Sequence, residues 1–152
     1  TFLSFFLFFQ FVIVVVDDEN GEVQGNLIMA ANLTSPKEIA FLMKNGSGIV
    51  SVGMKKEDLD RLNLTVPEMV DDEDSSAPTF TITVDAKSGT STGVSASDRA
   101  MTVLTLSFLE AKPDDFKRPG HVLLLKYRDG GVLRRAGHTE ASVDLMILAG
   151  LL

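Results

Sequence analysis

The chain has no cysteine, no tryptophan, a single tyrosine and two histidines among its 152 residues. Without thiols there is no disulfide, no thiolate metal site and no cysteine nucleophile. Basic residues are also scarce: 14 Lys and Arg stand against 21 Asp and Glu, a formal net charge of -7. A general nucleic-acid binder needs a basic face to displace phosphate counterions, so that class is excluded. No Gly-x-Ser-x-Gly elbow is present, and His121 and His138 complete no nucleophile triad. Gly46-Ser47-Gly48 is only half of a dinucleotide fingerprint, and the acidic run from Asp17 lacks the glycine of a calcium loop.

The length is that of one domain. Hydrophobic residues at 45% and charged residues at 23% are globular proportions. The amino end is unusual, with six of the ten phenylalanines in the first eleven positions. The apolar run Phe2 to Val16 is short for a membrane span, which needs about 20 residues. It also lacks the basic start and cleavage site of a signal peptide. It reads either as a membrane-inserting segment or as a wrong or truncated gene start joined to a buried strand. The second fits better, because Phe11 to Val16 is β-branched and leads directly into an acidic loop. Residues 1–10 are thus expected to lie outside the fold, and residues 11–152 to form a partial domain.

Residues 11–16 suit a central strand covered on both faces. Leu27 to Ala31 is a second apolar run. Ser35-Pro36-Lys37-Glu38 predicts a helix start, with Ser as cap and Pro at the first helical position, running to about Lys44. Gly48 to Val52 reads as a strand and Lys56 to Leu62 as a short helix. Asp71 to Ser76 reads as a solvated turn rather than a metal site. Phe80, Ile82 and Val84 alternate with threonines, as in a half-buried strand. Ser95 and Asp98 form a second capping box, opening a helix to about Leu109. Pro113 and Pro119 bracket a loop, Val122 to Leu125 and Val132 to Leu133 read as short strands, and a last helix starts at Thr139. The expected fold is α+β: a mixed sheet sandwiched between helices in three layers, incomplete at the C-terminus.

Chemistry concentrates in Arg134-Arg135-Ala136-Gly137-His138-Thr139-Glu140. A glycine turn running into a helix leaves backbone N–H groups unpaired, and a phosphate is the usual guest. The arginines add charge-assisted hydrogen bonds. Thr139 caps the helix or touches the same phosphate, and His138 is either structural or a metal ligand. The second cluster, Asp17 to Glu22, packs carboxylates that repel unless solvated or bound to a hard cation.

Several phrases together resemble the 3,4-dihydroxy-2-butanone 4-phosphate synthase family. They include Val14-Val15-Val16-Asp17-Asp18-Glu19-Asn20, Gly25-Asn26-Leu27-Ile28-Met29-Ala30-Ala31, Gly46-Ser47-Gly48-Ile49-Val50 and Phe80-Thr81-Ile82-Thr83-Val84-Asp85-Ala86. They continue with Thr92-Gly93-Val94-Ser95-Ala96-Ser97-Asp98-Arg99, Arg118-Pro119-Gly120-His121-Val122 and Gly130 to Ala141. The resemblance covers about residues 11–152. It implies a lyase of riboflavin biosynthesis that converts D-ribulose 5-phosphate to L-3,4-dihydroxy-2-butanone 4-phosphate and formate. It further implies Mg²⁺, with Mn²⁺ as a substitute, a homodimer with sites at the subunit interface, and a plastid location in a plant or a cytoplasmic one otherwise. In plants and many bacteria the domain is fused to a GTP cyclohydrolase II half. Carried over by position, Glu22 and His138 are the metal ligands, and Arg135, Ala136, Gly137, His138 and Thr139 hold the substrate. Thr92 lies in a substrate loop, and His121 and Glu22 are catalytic.

Four positions depart from the family pattern. Where the family loop reads Arg-Glu-x-Glu-Gly-Asp, this chain has Gly21, Glu22, Val23, Gln24, Gly25 and Asn26. A cation is lost at Gly21, and an amide at Gln24 or Asn26 cannot act as a general base. Ser51 replaces a family cysteine. The expectation is impaired turnover. The alternative is a catalytically inactive paralogue that acts as an interaction or structural partner of an active synthase, in a heterodimer. No nucleic acid or membrane partner is expected.

Overall fold

The computed structural model describes residues 13–16, 24–65 and 77–151. The Phe-rich start, the acidic runs from Asp17 and Asp71, Gly21 and Glu22 lie outside the described residues.

Ile13–Val16 (β1) pairs antiparallel with Gly25–Ile28 (β2), Val15 opposite Asn26. Among the described residues these two make a sheet of their own. Part of the run read as a central strand is therefore one arm of a hairpin ribbon. The helix Pro36–Asn45 (α1) opens as the sequence predicts: the Ser35 hydroxyl accepts from the Lys37 N–H and also contacts the Glu38 carboxylate. The following strand lies at Ser51–Met54 (β3), a few residues beyond the apolar run that predicts it. Lys56–Arg61 (α2) matches the expected short helix.

The strand expected across Phe80 to Val84 is split into Thr79–Phe80 (β4) and Val84–Ala86 (β5). Ala96–Leu106 (α3) follows, with Ser95 as cap. Phe116–Lys126 (β6) is then an eleven-residue strand: Val122 to Leu125 is the predicted short strand, and Phe116 to His121 extends it beyond the apolar run. It takes in Pro119, which reads from sequence as a loop boundary. Val132 and Leu133 are not a strand but part of a 3₁₀ turn, Gly131–Leu133, both exposed. Glycines with positive φ at Gly130 and Gly131 close the chain too tightly there for extended pairing. The last helix is His138–Ala149 (α4), capped by the backbone of Gly137.

β6 holds the main sheet together. β3 pairs parallel to it, Val52 opposite Leu124, while β4 and β5 pair antiparallel to it. The sheet is thus mixed. Alternation along a strand sends neighbouring side chains to opposite faces. Val52, Met54, Val122 and Leu124 enter the main core with Ile39, Leu59, Leu62, Leu64, Val103 and Leu106. Gly53 faces the other way, and a Cβ there would lie 3.0 Å from Val143 and 3.5 Å from Thr139 of α4. Helices therefore cover both faces of the sheet, which is the expected three-layer order.

The single tyrosine, Tyr127, follows β6. It is buried and donates its hydroxyl to Asp144 of α4 over 2.9 Å. Burial first, and the Asp144 carboxylate second, push its pKa up from 10.0 to about 12. Between those values the unfolded chain releases a proton that the folded chain keeps. Stability therefore falls as pH rises from about 10 toward 12. Tyrosinate absorbance, which reports Tyr127 alone here, is expected to appear near pH 12, or earlier only together with unfolding. A reversible transition near pH 10 in the folded chain would contradict this packing.

Candidate functional site

The sequence-predicted site residues that the structure describes fall mainly into two clusters, one at a bulge in β6 and one at the start of α4. The first is built on a bulge. Val84 pairs with Val122 but its neighbour Asp85 pairs with Lys117, so residues 118–121 loop out between them. Bulges of this kind re-aim side chains. The Arg118–Pro119 peptide is cis, and Pro119 has no N–H to leave unpaired. The Gly120 N–H is satisfied by the Thr83 hydroxyl at 3.1 Å. Gly120 lies so close to β5 that a Cβ would fall 2.0 Å from the Val84 carbonyl carbon.

His121 emerges from this bulge. Its backbone N–H donates to Asp85 Oδ1 at 2.9 Å, and its ring Nδ1 lies 2.7 Å from Asp85 Oδ2. Asp85 is buried, while the His121 side chain is 42% exposed. Gly93, at a φ of 87°, closes over this pair: a Cβ there would sit 2.1 Å from Asp85 Oδ2 and 2.7 Å from His121 Nδ1.

The loop that carries Gly93 is held by Asp98. Its carboxylate accepts from the N–H of Ser91, the hydroxyl of Ser91 and the N–H of Gly93. Those bonds, the Ser91 N–H foremost, hold the Asp98 carboxyl below the usual aspartate range. The expected capping box is therefore half formed. Ser95 Oγ accepts from the Asp98 N–H, but the Asp98 side chain folds back to the preceding loop. Thr92 stands exposed at the crest of that loop, between the two residues that Asp98 anchors.

The second cluster surrounds the start of α4. The Arg135 guanidinium meets the buried Glu140 carboxylate at 2.5 Å. The other Glu140 oxygen accepts from the Arg128 backbone N–H at 3.3 Å. Gly137 packs on this ion pair, with a Cβ there 2.2 Å from Arg135 Nη1 and 2.8 Å from Glu140 Oε2. Asp144, one turn further on, accepts from the Val132 N–H and from Tyr127. Two carboxylates of one helix thus shape the whole approach from Arg128 to Gly137. Thr139 does not cap the helix: it is buried in the first turn, facing Gly53, and Gly137 holds the cap position. Ala136 is exposed and His138 opens the helix.

As a cation site, this cluster offers the buried Nε2 of His138. Neutral imidazole is a metal donor, but a hard cation such as Mg²⁺ prefers oxygen. Glu140 is committed to Arg135, so oxygen ligands must come from elsewhere. Glu22 is the sequence-predicted one, and it lies outside the described residues. Among the described residues no three His, Asp or Glu side chains group to hold a metal. His138 fits one position of such a set.

Of the remaining sequence-predicted positions, Gln24 precedes β2, Asn26 lies within it and Ser51 opens β3, all exposed. The two clusters belong to different elements, His121 to the β6 bulge and His138 to the start of α4, whose first turn packs on Gly53 of β3. Sequence reasoning missed Asp85, Asp98 and Glu140 as site-forming groups. Their signal was a carboxylate next to a glycine-containing loop, which also describes many surface turns.

The family model for 3,4-dihydroxy-2-butanone 4-phosphate synthase matches residues 10–152. The chain is 84% identical over 141 residues to the monofunctional riboflavin biosynthesis protein RIBA 3, chloroplastic, of Arabidopsis thaliana, covering 91% of this chain and 28% of that protein. It is 61% identical to the monofunctional RIBA 2, chloroplastic, of the same plant, covering 92% and 30%. The chain thus spans about three-tenths of the length of these relatives. Among solved structures it superposes on 3,4-dihydroxy-2-butanone 4-phosphate synthase of Candida albicans with a TM-score of 0.86 at 40% identity, covering 97% of this chain and 72% of that one. A form of such a synthase in complex with two magnesium ions gives 0.89 at 36% identity, covering 97% and 68%.

Glu140→Ala removes the carboxylate that a largely buried Arg135 guanidinium pairs with. The substitution is expected to cost about 3–5 kcal/mol, read as a fall in thermal midpoint. An unchanged midpoint would show that the ion pair does not hold the loop.

Proposed function

The chain belongs to the 3,4-dihydroxy-2-butanone 4-phosphate synthase family of riboflavin biosynthesis, and from that premise we propose that it binds D-ribulose 5-phosphate and converts it to L-3,4-dihydroxy-2-butanone 4-phosphate and formate. The observation that carries this reading is the start of α4. There Arg135, fixed by Glu140, lies against Gly137 at the first turn of the helix. Such a helix end with an adjacent guanidinium recognises a phosphate. Arg135, Ala136, Gly137, His138 and Thr139 form the holding segment, and Thr92 contributes from its own loop.

His138 and Glu22 are the residues that would hold a divalent cation. When bound, that ion polarises the substrate oxygens and stabilises negative charge next to the carbonyl. Mg²⁺ is the proposed ion and Mn²⁺ its substitute, supported by the two magnesium ions in the related synthase. His121 serves in proton transfer, together with Glu22. The plastid is the proposed location, since RIBA 3 and RIBA 2 both bear names that call them chloroplastic. Among the described residues no helix is long and apolar enough to cross a membrane.

Gln24 and Asn26 set the rate. Each presents an amide where the family pattern has a proton acceptor, so turnover is low. With Mg²⁺ and ribulose 5-phosphate, the chain is expected to release formate above a metal-free control. Gln24→Glu with Asn26→Asp is expected to raise that rate by about 10²-fold or more. No formate from either form would overturn the synthase reading. It would favour the second reading, a non-catalytic partner of an active synthase, which the same two amides support.

The synthase reading includes a site shared between two copies of the chain, with His121 from one and His138 from the other. Variants His121→Ala and His138→Ala, each inactive alone, are then expected to recover about a quarter of wild-type turnover when mixed, because half the dimers carry one intact site. No recovery on mixing would place both histidines in one subunit's site.

A further inference from the structure

We infer that Asp85 is a positioning residue for His121: its buried carboxylate holds the imidazole in the neutral tautomer that leaves Nε2 free to take a proton. The inference rests on the reading of His121 as a proton-transfer group. It goes further by assigning a role to a residue that the family motif around His121 does not contain, 36 positions earlier in the chain.

An ionised carboxylate only accepts hydrogen bonds, so a ring nitrogen 2.7 Å from Asp85 Oδ2 must carry the hydrogen. The other carboxylate oxygen takes the His121 backbone N–H at 2.9 Å. One rigid group thereby fixes both the backbone and the ring of the same residue, leaving little freedom in the rotation of the side chain. An unconstrained imidazole populates both tautomers. Here Nδ1–H is required, and Nε2 lies on the ring edge away from the carboxylate.

Three neighbouring polar side chains are engaged elsewhere. The Thr83 hydroxyl is engaged with the Gly120 N–H. Asp98, across the loop, spends its oxygens on Ser91 and Gly93. Arg118 points its guanidinium at the carbonyls of Leu62 and Pro113. Gly93 packs on the carboxylate and on Nδ1, which keeps water from the hydrogen bond between them.

In the proton-abstraction step the C–H bond next to the substrate carbonyl breaks and its electron pair stays on the substrate as an enediolate. The proton goes to Nε2. The resulting imidazolium charge is balanced by Asp85 across the Nδ1 bond, as in other carboxylate–histidine pairs.

The test is nitrogen NMR of the chain labelled with ¹⁵N-histidine, at a pH where the rings are neutral. Only two histidines contribute, and His138→Gln assigns them. The expected result is a protonated Nδ1 and an unprotonated Nε2 at His121. Asp85→Asn can turn its amide NH₂ toward the ring, so it is expected to move the population toward Nε2–H. It is also expected to lower kcat for formate release by roughly 10²–10⁴-fold with a much smaller change in KM. A wild-type ring that is mainly Nε2–H, or a tautomer unmoved by Asp85→Asn, would overturn the inference. The wild-type spectrum decides even where Asp85→Asn fails to fold. A chain that releases no formate but shows the Nδ1–H tautomer supports the role of Asp85 while removing the synthase reading.

Discussion

A buried carboxylate needs hydrogen-bond donors, and the way Asp85 finds them shapes the surrounding sheet. Its two oxygens draw in the backbone and the ring of His121. To deliver both, β6 gives up its regular pairing with β5 over residues 118–121. Gly120 must then lie directly on the Val84 backbone, and Gly93 must cover the carboxylate from the other side. The bulge in β6 and the two glycine contacts all surround that one carboxylate.

The same solution recurs at α4. Glu140 and Asp144 turn from the helix toward the chain that precedes it and collect Arg135, the Arg128 and Val132 amides and Tyr127. At each site an acidic side chain organises a glycine-containing loop and leaves that loop's own functional groups outward. An acidic protein handling a phosphate ester faces a conflict of charge. Committing these carboxylates to internal donors lessens it, because a carboxylate that accepts two or three hydrogen bonds repels an incoming anion less than an unpaired one.

Local rules were legible where the signal was local. Ser35-Pro36 and Ser95 start helices where the capping pattern puts them, because a cap depends on three or four adjacent residues. β6 was legible only from Val122 to Leu125. Pro119 reads as a breaker, and only pairing with distant β5 explains how a proline is carried inside a strand. Val132 and Leu133 have strand-like side chains but follow two glycines and are held by Asp144. Asp85 was hidden by parity. Phe80, Ile82 and Val84 mark one face as apolar, so an aspartate on the other reads as solvated until the bulge supplies its donors. The His138 segment was the reverse case: its glycine, arginine and histidine pattern is specific enough to mark a helix start from the residues alone. Thr139 was misplaced by a residue pair, since the backbone of Gly137 caps the helix without a side chain.

The central place of β6 has a consequence for how the chain is made. β3, β4 and β5 are all synthesised before β6, yet β6 is the strand each pairs with. As the chain leaves the ribosome these three segments have no sheet to join until residues 116–126 emerge. Their pairings then form across some 30 to 75 residues of intervening chain, the long-range kind that closes slowly. During that interval the apolar residues of β3 and β5 stand uncovered, at the stage when strand edges are most open to association with other chains. The order of strands in the sequence thus makes the emerging chain a natural client for chaperones, however stable the finished domain.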